Sequence, residues 1–181
     1  MNWLICRTAD FTQTEYDAVY DDLSDSRKAH IDTFRHALAR QQSLAGELAL
    51  RKLLRQCAIA DIPIRLPSGQ PALARGSAYV SISHCEDLVA CALSREPIGI
   101  DAERIRPVKP GLIDRVCTPE EKDYVQDSTE RFFEVWTAKE ACFKMLGTGI
   151  TDFQSVNTLT LPRHLIREGD YCIQLVYKEK R

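Results

Sequence analysis

Asp101 and Glu103, within Gly99-Ile100-Asp101-Ala102-Glu103, set two carboxylates two residues apart among apolar neighbours. On a strand, side chains alternate with a period of two, so the pair points to one face while Ile100 turns to the core on the other. Adjacent carboxylates repel and raise each other's pKa unless a cation compensates. A hard divalent ion such as Mg2+ takes one or two carboxylates and fills its remaining positions with water and substrate phosphate. The plainer alternative is a pair of solvated acids on an edge strand. A second set lies in Trp136-Thr137-Ala138-Lys139-Glu140-Ala141-Cys142-Phe143-Lys144. On a helix Glu140 and Lys144 share a face, with Trp136 one turn before Glu140. At a wet surface that pair would be worth only about a few tenths of a kcal/mol. The apolar neighbours argue instead for a half-buried helix, where idle charges are costly. There Glu140 would complete a metal site, and Lys139 and Lys144 would bind phosphate.

Ser81-Ile82-Ser83-His84-Cys85 offers hydroxyl, backbone N–H and imidazole donors to a phosphate at the end of an apolar strand. A serine–histidine pair also suggests a hydrolase nucleophile, but no G-x-S-x-G elbow accompanies it. A lone histidine is more often structural than catalytic.

The elements that must position these groups follow from periodicity. Residues 35–58 are predicted as one long helix, with Leu50, Leu53, Leu54 and Cys57 on its buried face. Pro63 ends it, and 67–71 form a turn-rich loop. Strands are predicted at 79–83, 88–94 and 98–101, with Arg95-Glu96-Pro97 as a hairpin-like break. Thr118-Pro119-Glu120-Glu121 starts a helix through its cap, its proline and its acids. A longer helix runs over 130–146 and stops at Gly147-Thr148-Gly149. Residues 151–178 are expected to return as strands. The best internal boundary is the proline-rich run 106–111, giving halves 1–105 and 106–181. Helix followed by strands, twice over, predicts an α+β pseudo-repeat.

The 181 residues are 44% hydrophobic, enough for a core, and 28% charged, with a net charge of −2. No global basic field argues for nucleic acid, so any anion site must be local. The start of the chain lacks the pattern of a signal peptide. The longest apolar run, residues 88–93, is too short to cross a bilayer. The seven cysteines contain no CxxC pair. They predict buried thiols in a reduced cytoplasm, with neither a disulfide framework nor a zinc site.

Taken in order, Gly69-Gln70-Pro71, Val80–Cys85, Gly99–Glu103, Trp136–Lys144 and Gly147-Thr148-Gly149 resemble the Sfp-type 4'-phosphopantetheinyl transferases from about residue 24 to 150. GIDxE and WxxKExxxKxxGxG are the most specific blocks. The resemblance implies a pseudo-duplicated fold of two αβ halves packed as a monomeric pseudo-dimer, unlike the trimeric branch of the family. It implies Mg2+, with Mn2+ as a substitute, on Asp101, Glu103 and Glu140. Coenzyme A would be the co-substrate, its phosphates contacted by Ser83, His84, Lys139 and Lys144 and its 3'-phosphate by Arg27 and His30. Arg40 is an additional basic contact. Glu121 matches a further acid near the metal site, or is simply a helix-start acid. Gln70 stands where many members carry lysine, which removes a charge from one phosphate contact.

The implied reaction moves phosphopantetheine to a serine of an apo acyl or peptidyl carrier protein. Glu140, Lys144 and His84 would serve the transfer, and Glu140 or a water of the metal site would take the serine proton. The carrier-facing surface is expected around Leu112, Ile113 and Arg115, and the C-terminal strands are expected to be abbreviated. The rival readings are a non-catalytic carrier-binding module of the same fold and an unrelated Mg2+-dependent phosphohydrolase. No nucleic acid or membrane is expected as a partner.

Overall fold

One long helix and one three-stranded antiparallel sheet recur in each of the two units into which the chain divides, Met1–Arg95 and Glu96–Arg181. The computed structural model describes residues 1–149 and 152–179. In the first unit β1 (Asn2–Arg7) is followed by α1 (Gln13–Asp21), α2 (Asp25–Asp32) and α3 (Ala37–Gln56). The ribbon strands β2 (Pro63–Arg65) and β3 (Pro71–Leu73) come next, then the hairpin β4 (Tyr79–Cys85) and β5 (Leu88–Ser94). The sheet order is β1-β5-β4, with Ile5 opposite Ala90 and Ser83 also opposite Ala90 from the other side.

Local chemistry accounts for the helix starts. Thr12 and Glu15 close a capping box on α1, and the Ser24 side chain caps α2. α3 is held by its stripe: Leu50, Leu53 and Leu54 are buried, and Cys57 packs against the same core. β1 is not predicted from the sequence pattern. Trp3 and Leu4 give it strand character, and its pairing with the fully buried β5 decides the matter.

The second unit contains β6 (Ile98–Arg104), the short helices α4 (Leu112–Val116) and α5 (Pro119–Val125), then α6 (Thr129–Leu146), β7 (Arg163–Glu168) and β8 (Tyr171–Tyr177). Its sheet order is β6-β8-β7, antiparallel throughout. Thr118 caps α5 with Pro119 at the first position, Ser128 caps α6, and Gly147 ends α6 in a left-handed conformation at φ 70°.

Three sequence expectations are altered. Arg95-Glu96-Pro97 is not a hairpin turn, because β5 pairs with β1 and β4 whereas β6 pairs with β8. For the same reason the division falls before β6, ahead of the proline-rich run at 106–111. Residues 152–160 are not strand but two 3-10 turns, Phe153–Ser155 and Thr158–Thr160; Thr151 lies outside the described residues. Leu112 and Ile113 are half-buried, each packing one side against the buried Val116, Cys117 and Phe132 cluster, and Arg115 is exposed. Among the described residues no helix is long and apolar enough to cross a membrane.

Candidate active site

The carboxylates owe their position to Gly99. A β-carbon there would lie 1.8 Å from the Ala141 carbonyl oxygen and 2.8 Å from the Met145 backbone nitrogen. The backbone of α6 therefore rests directly on β6, and only glycine permits that approach. Two and four residues further along the same face come Asp101 and Glu103. Asp101 is buried, and Lys144 reaches it from α6: its Nζ donates to Asp101 Oδ1 at 2.7 Å and to the Ile100 carbonyl at 3.2 Å. Gly99→Ala is expected to cost about 1–3 kcal/mol, because the clash is with backbone rather than a movable side chain. Urea unfolding checks this; an unchanged midpoint would mean that the helix does not need the contact.

Glu140 lies one helical turn before Lys144. Burial, then repulsion from Asp101 and Glu103, pushes its carboxyl up to about 7, with Lys144 pulling the other way. The three carboxylates thus feel one another, and a cation among them would relieve the repulsion. Among the described residues they are not gathered into a ready-made cage of three or more His, Cys, Asp or Glu ligands. Mg2+ does not require one, since it binds through one or two carboxylates with water and phosphate making up the octahedron. The donor set fits the ion: hard, anionic oxygens and no thiolate.

Lys139 behaves differently from the expectation, while Glu121 takes the second of its two readings. Both side chains have zero exposure, with Lys139 Nζ 2.7 Å from Glu121 Oε2. Lys139 also donates to the carbonyls of Phe153 and Val156. Glu121 Oε1 accepts from the backbone N–H and hydroxyl of Thr158 at 2.7 and 2.8 Å, and Oε2 accepts from the Thr118 N–H at 2.9 Å. A phosphate contact for Lys139 is corrected accordingly: its ammonium is enclosed and spent on protein oxygens. Glu121 is the helix-start acid of α5 and the anchor of the 3-10 segment.

In the first unit Ser83 is buried and His84 exposed, because neighbours on β4 point to opposite faces. Arg27 and His30 line a cavity of about 1330 Å3 that also contains Glu47 and Arg65, two residues the sequence reading missed. Arg40 is not among the lining residues; it pairs with Asp32 at 3.0 Å and lies over the Tyr20 ring. Gln70 closes a turn in which the Leu66 N–H donates to the Gln70 carbonyl at 2.9 Å.

Residues 97–177, which hold β6, α6 and both carboxylate motifs, match the sequence model of the 4'-phosphopantetheinyl transferase superfamily. Enterobactin synthase component D of Escherichia coli (strain K12) is 31% identical over 164 residues, covering 83% of this chain and 79% of that protein. The chain belongs to the 4'-phosphopantetheinyl transferase superfamily. Further superfamily relatives are the 4'-phosphopantetheinyl transferases psf-1 of Bacillus pumilus, 28% identical over 141 residues, and gsp of Aneurinibacillus migulanus, 32% identical over 120. These alignments take in 71% and 60% of this chain but only 60% and 49% of the relatives' lengths. The superfamily match falls on the unit that contains Asp101, Glu103, Glu140 and Lys144.

Proposed function

We propose that this chain transfers the 4'-phosphopantetheine group of coenzyme A to a serine of an apo acyl or peptidyl carrier protein. The observation that carries the reading is the β6–α6 arrangement, three mutually repelling carboxylates with Lys144 on the face set by Gly99. Relatives named as 4'-phosphopantetheinyl transferases support it.

In the reaction the carrier serine Oγ bonds to the β-phosphorus of coenzyme A. The phosphoanhydride bond breaks, its electron pair leaves with adenosine 3',5'-bisphosphate, and the serine proton is released. Such a transfer needs positioning and neutralised phosphate charge more than covalent help. Asp101, Glu103 and Glu140 would hold Mg2+, or Mn2+ in its place. When bound, the ion supplies charge neutralisation and orientation for the pyrophosphate oxygens. Lys144, poised between the Ile100 carbonyl and Asp101, supplies a mobile positive charge for the same oxygens. Ser83 and His84 are assigned to coenzyme A phosphates, and Arg27 and His30 to the 3'-phosphate.

The finer reading of the fold is a duplication. Each unit runs strand, long helix, two-stranded hairpin, and in each the last strand is central and pairs with the first. We read these as two similar αβ halves forming a monomeric pseudo-dimer. A cytoplasmic setting belongs to the same reading, in keeping with seven free cysteines.

The test is product analysis after incubation with coenzyme A and Mg2+. Adenosine 3',5'-bisphosphate should form only when an apo carrier is present. Phosphate release without a carrier, or binding of carrier without any product, would overturn the proposal.

A further inference from the structure

Glu47, on α3, is almost fully buried, and two arginines distant in sequence converge on one of its oxygens. Arg65 donates to Glu47 Oε1 through Nε at 3.0 Å and through a terminal nitrogen at 2.7 Å. Arg27 donates to the same oxygen through Nε at 3.3 Å, and its own terminal nitrogen donates to the Ser43 hydroxyl at 2.7 Å. The side chains are 5% exposed for Glu47, 13% for Arg27 and 21% for Arg65. All three line the cavity of the first unit.

The charges do not balance locally. One carboxylate faces two guanidinium groups, and burying an uncompensated positive charge is costly. The other cavity acids do not make up the deficit. Asp22 is matched by Arg51 at 2.5 Å, and Asp61 is turned to the Ile62 and Arg75 backbone N–H groups. The arginines feel each other: burial, then the charge of Arg65, draws Arg27 below its usual pKa. Such a cluster is stable when an anion shares it, and a guanidinium pair matches the oxygens of a phosphate dianion.

We infer that Arg65 is a second phosphate-binding arginine of this cavity, and that Glu47 is a positioning residue that holds it beside Arg27 to select a terminal phosphomonoester. The inference rests on the proposed function, in which Arg27 meets the 3'-phosphate of coenzyme A. Glu47 touches no ligand in this scheme. It fixes two long side chains in advance, so that less of their freedom is lost when phosphate arrives.

The experiment is calorimetric titration of the full chain with coenzyme A and with 3'-dephospho-coenzyme A. The wild-type chain should prefer coenzyme A. Arg65→Met should weaken coenzyme A binding by about ten- to a hundredfold, the scale of a charge-assisted contact, and leave 3'-dephospho-coenzyme A binding unchanged. Arg65→Lys should recover part of the preference, and Glu47→Gln should erode it although both arginines remain. Retained binding of the dephospho analogue shows in the same titration that each variant is folded. An unchanged preference in Arg65→Met would overturn the inference and leave the proposed function standing. A wild-type chain that binds both ligands equally would do the same. A wild-type chain that binds neither would overturn both.

Discussion

Replacing Glu140 with glutamine is expected to reduce phosphopantetheine transfer by at least about a hundredfold, the scale set by losing one group that stabilises transition-state charge, while the fold survives. Glutamine keeps the shape of the side chain and removes its charge, so packing on β6 is little disturbed. The same substitution should change the pH dependence of stability in the metal-free chain. Glu140 has a folded pKa of about 7 against an ordinary 4.5. Between those values the folded state holds a proton that the unfolded state has released, so stability falls as pH rises through the window. Below 4.5 the penalty is absent, and above 7 it is complete. Glu140→Gln removes it: the variant should melt above the wild type at pH 8, with the advantage shrinking as pH approaches 5. Adding Mg2+ at pH 8 should raise the wild-type melting temperature and leave the variant nearly unmoved. A variant that keeps both the wild-type Mg2+ response and wild-type turnover would remove Glu140 from the site.

Lys139→Met should cost about 3–5 kcal/mol, because it strands the Glu121 carboxylate in the interior without its cation. Both side chains have zero exposure, and total stabilities of domains are only about 5–15 kcal/mol. The loss should also loosen the 3-10 segment, since Lys139 ties the Phe153 and Val156 carbonyls and Glu121 ties Thr158. Adding Glu121→Gln to Lys139→Met should recover part of the stability, because glutamine keeps an acceptor oxygen and removes the stranded charge. Equilibrium urea unfolding of both single variants and the double variant reads the coupling directly. Unchanged stability in Lys139→Met, combined with weakened coenzyme A binding, would restore the phosphate contact that the resemblance implies for Lys139.

The contrast between Lys139 and its neighbour shows what a sequence can disclose. Asp101 and Glu103 are legible because strand alternation is local, and Glu140 with Lys144 because helical spacing is local. The same rule separates Lys139 from Glu140: consecutive helical residues point about 100° apart, so the two cannot serve one face. Ser83 and His84 divide in the same way on β4. α3 and α6 follow from apolar stripes and caps. β1 does not, because six residues carry too little pattern and its strand state depends on pairing with residues 88–93. Glu47 and Arg65, 18 residues apart, meet only through the tertiary fold, and no periodicity announces them. Gly99 opens the GIDxE block, but why a glycine stands there, the Ala141 carbonyl against it, is visible only once α6 is in place.

Phosphopantetheine transfer is read most directly by intact-mass measurement of an apo carrier protein after incubation with this chain, coenzyme A and Mg2+, with and without a chelator. The carrier should gain the mass of one phosphopantetheine group on its serine, and the chelator should abolish the gain. A carrier whose mass stays unchanged across fatty-acid and peptide-synthetase types, while the chain demonstrably binds coenzyme A, would contradict the proposed function.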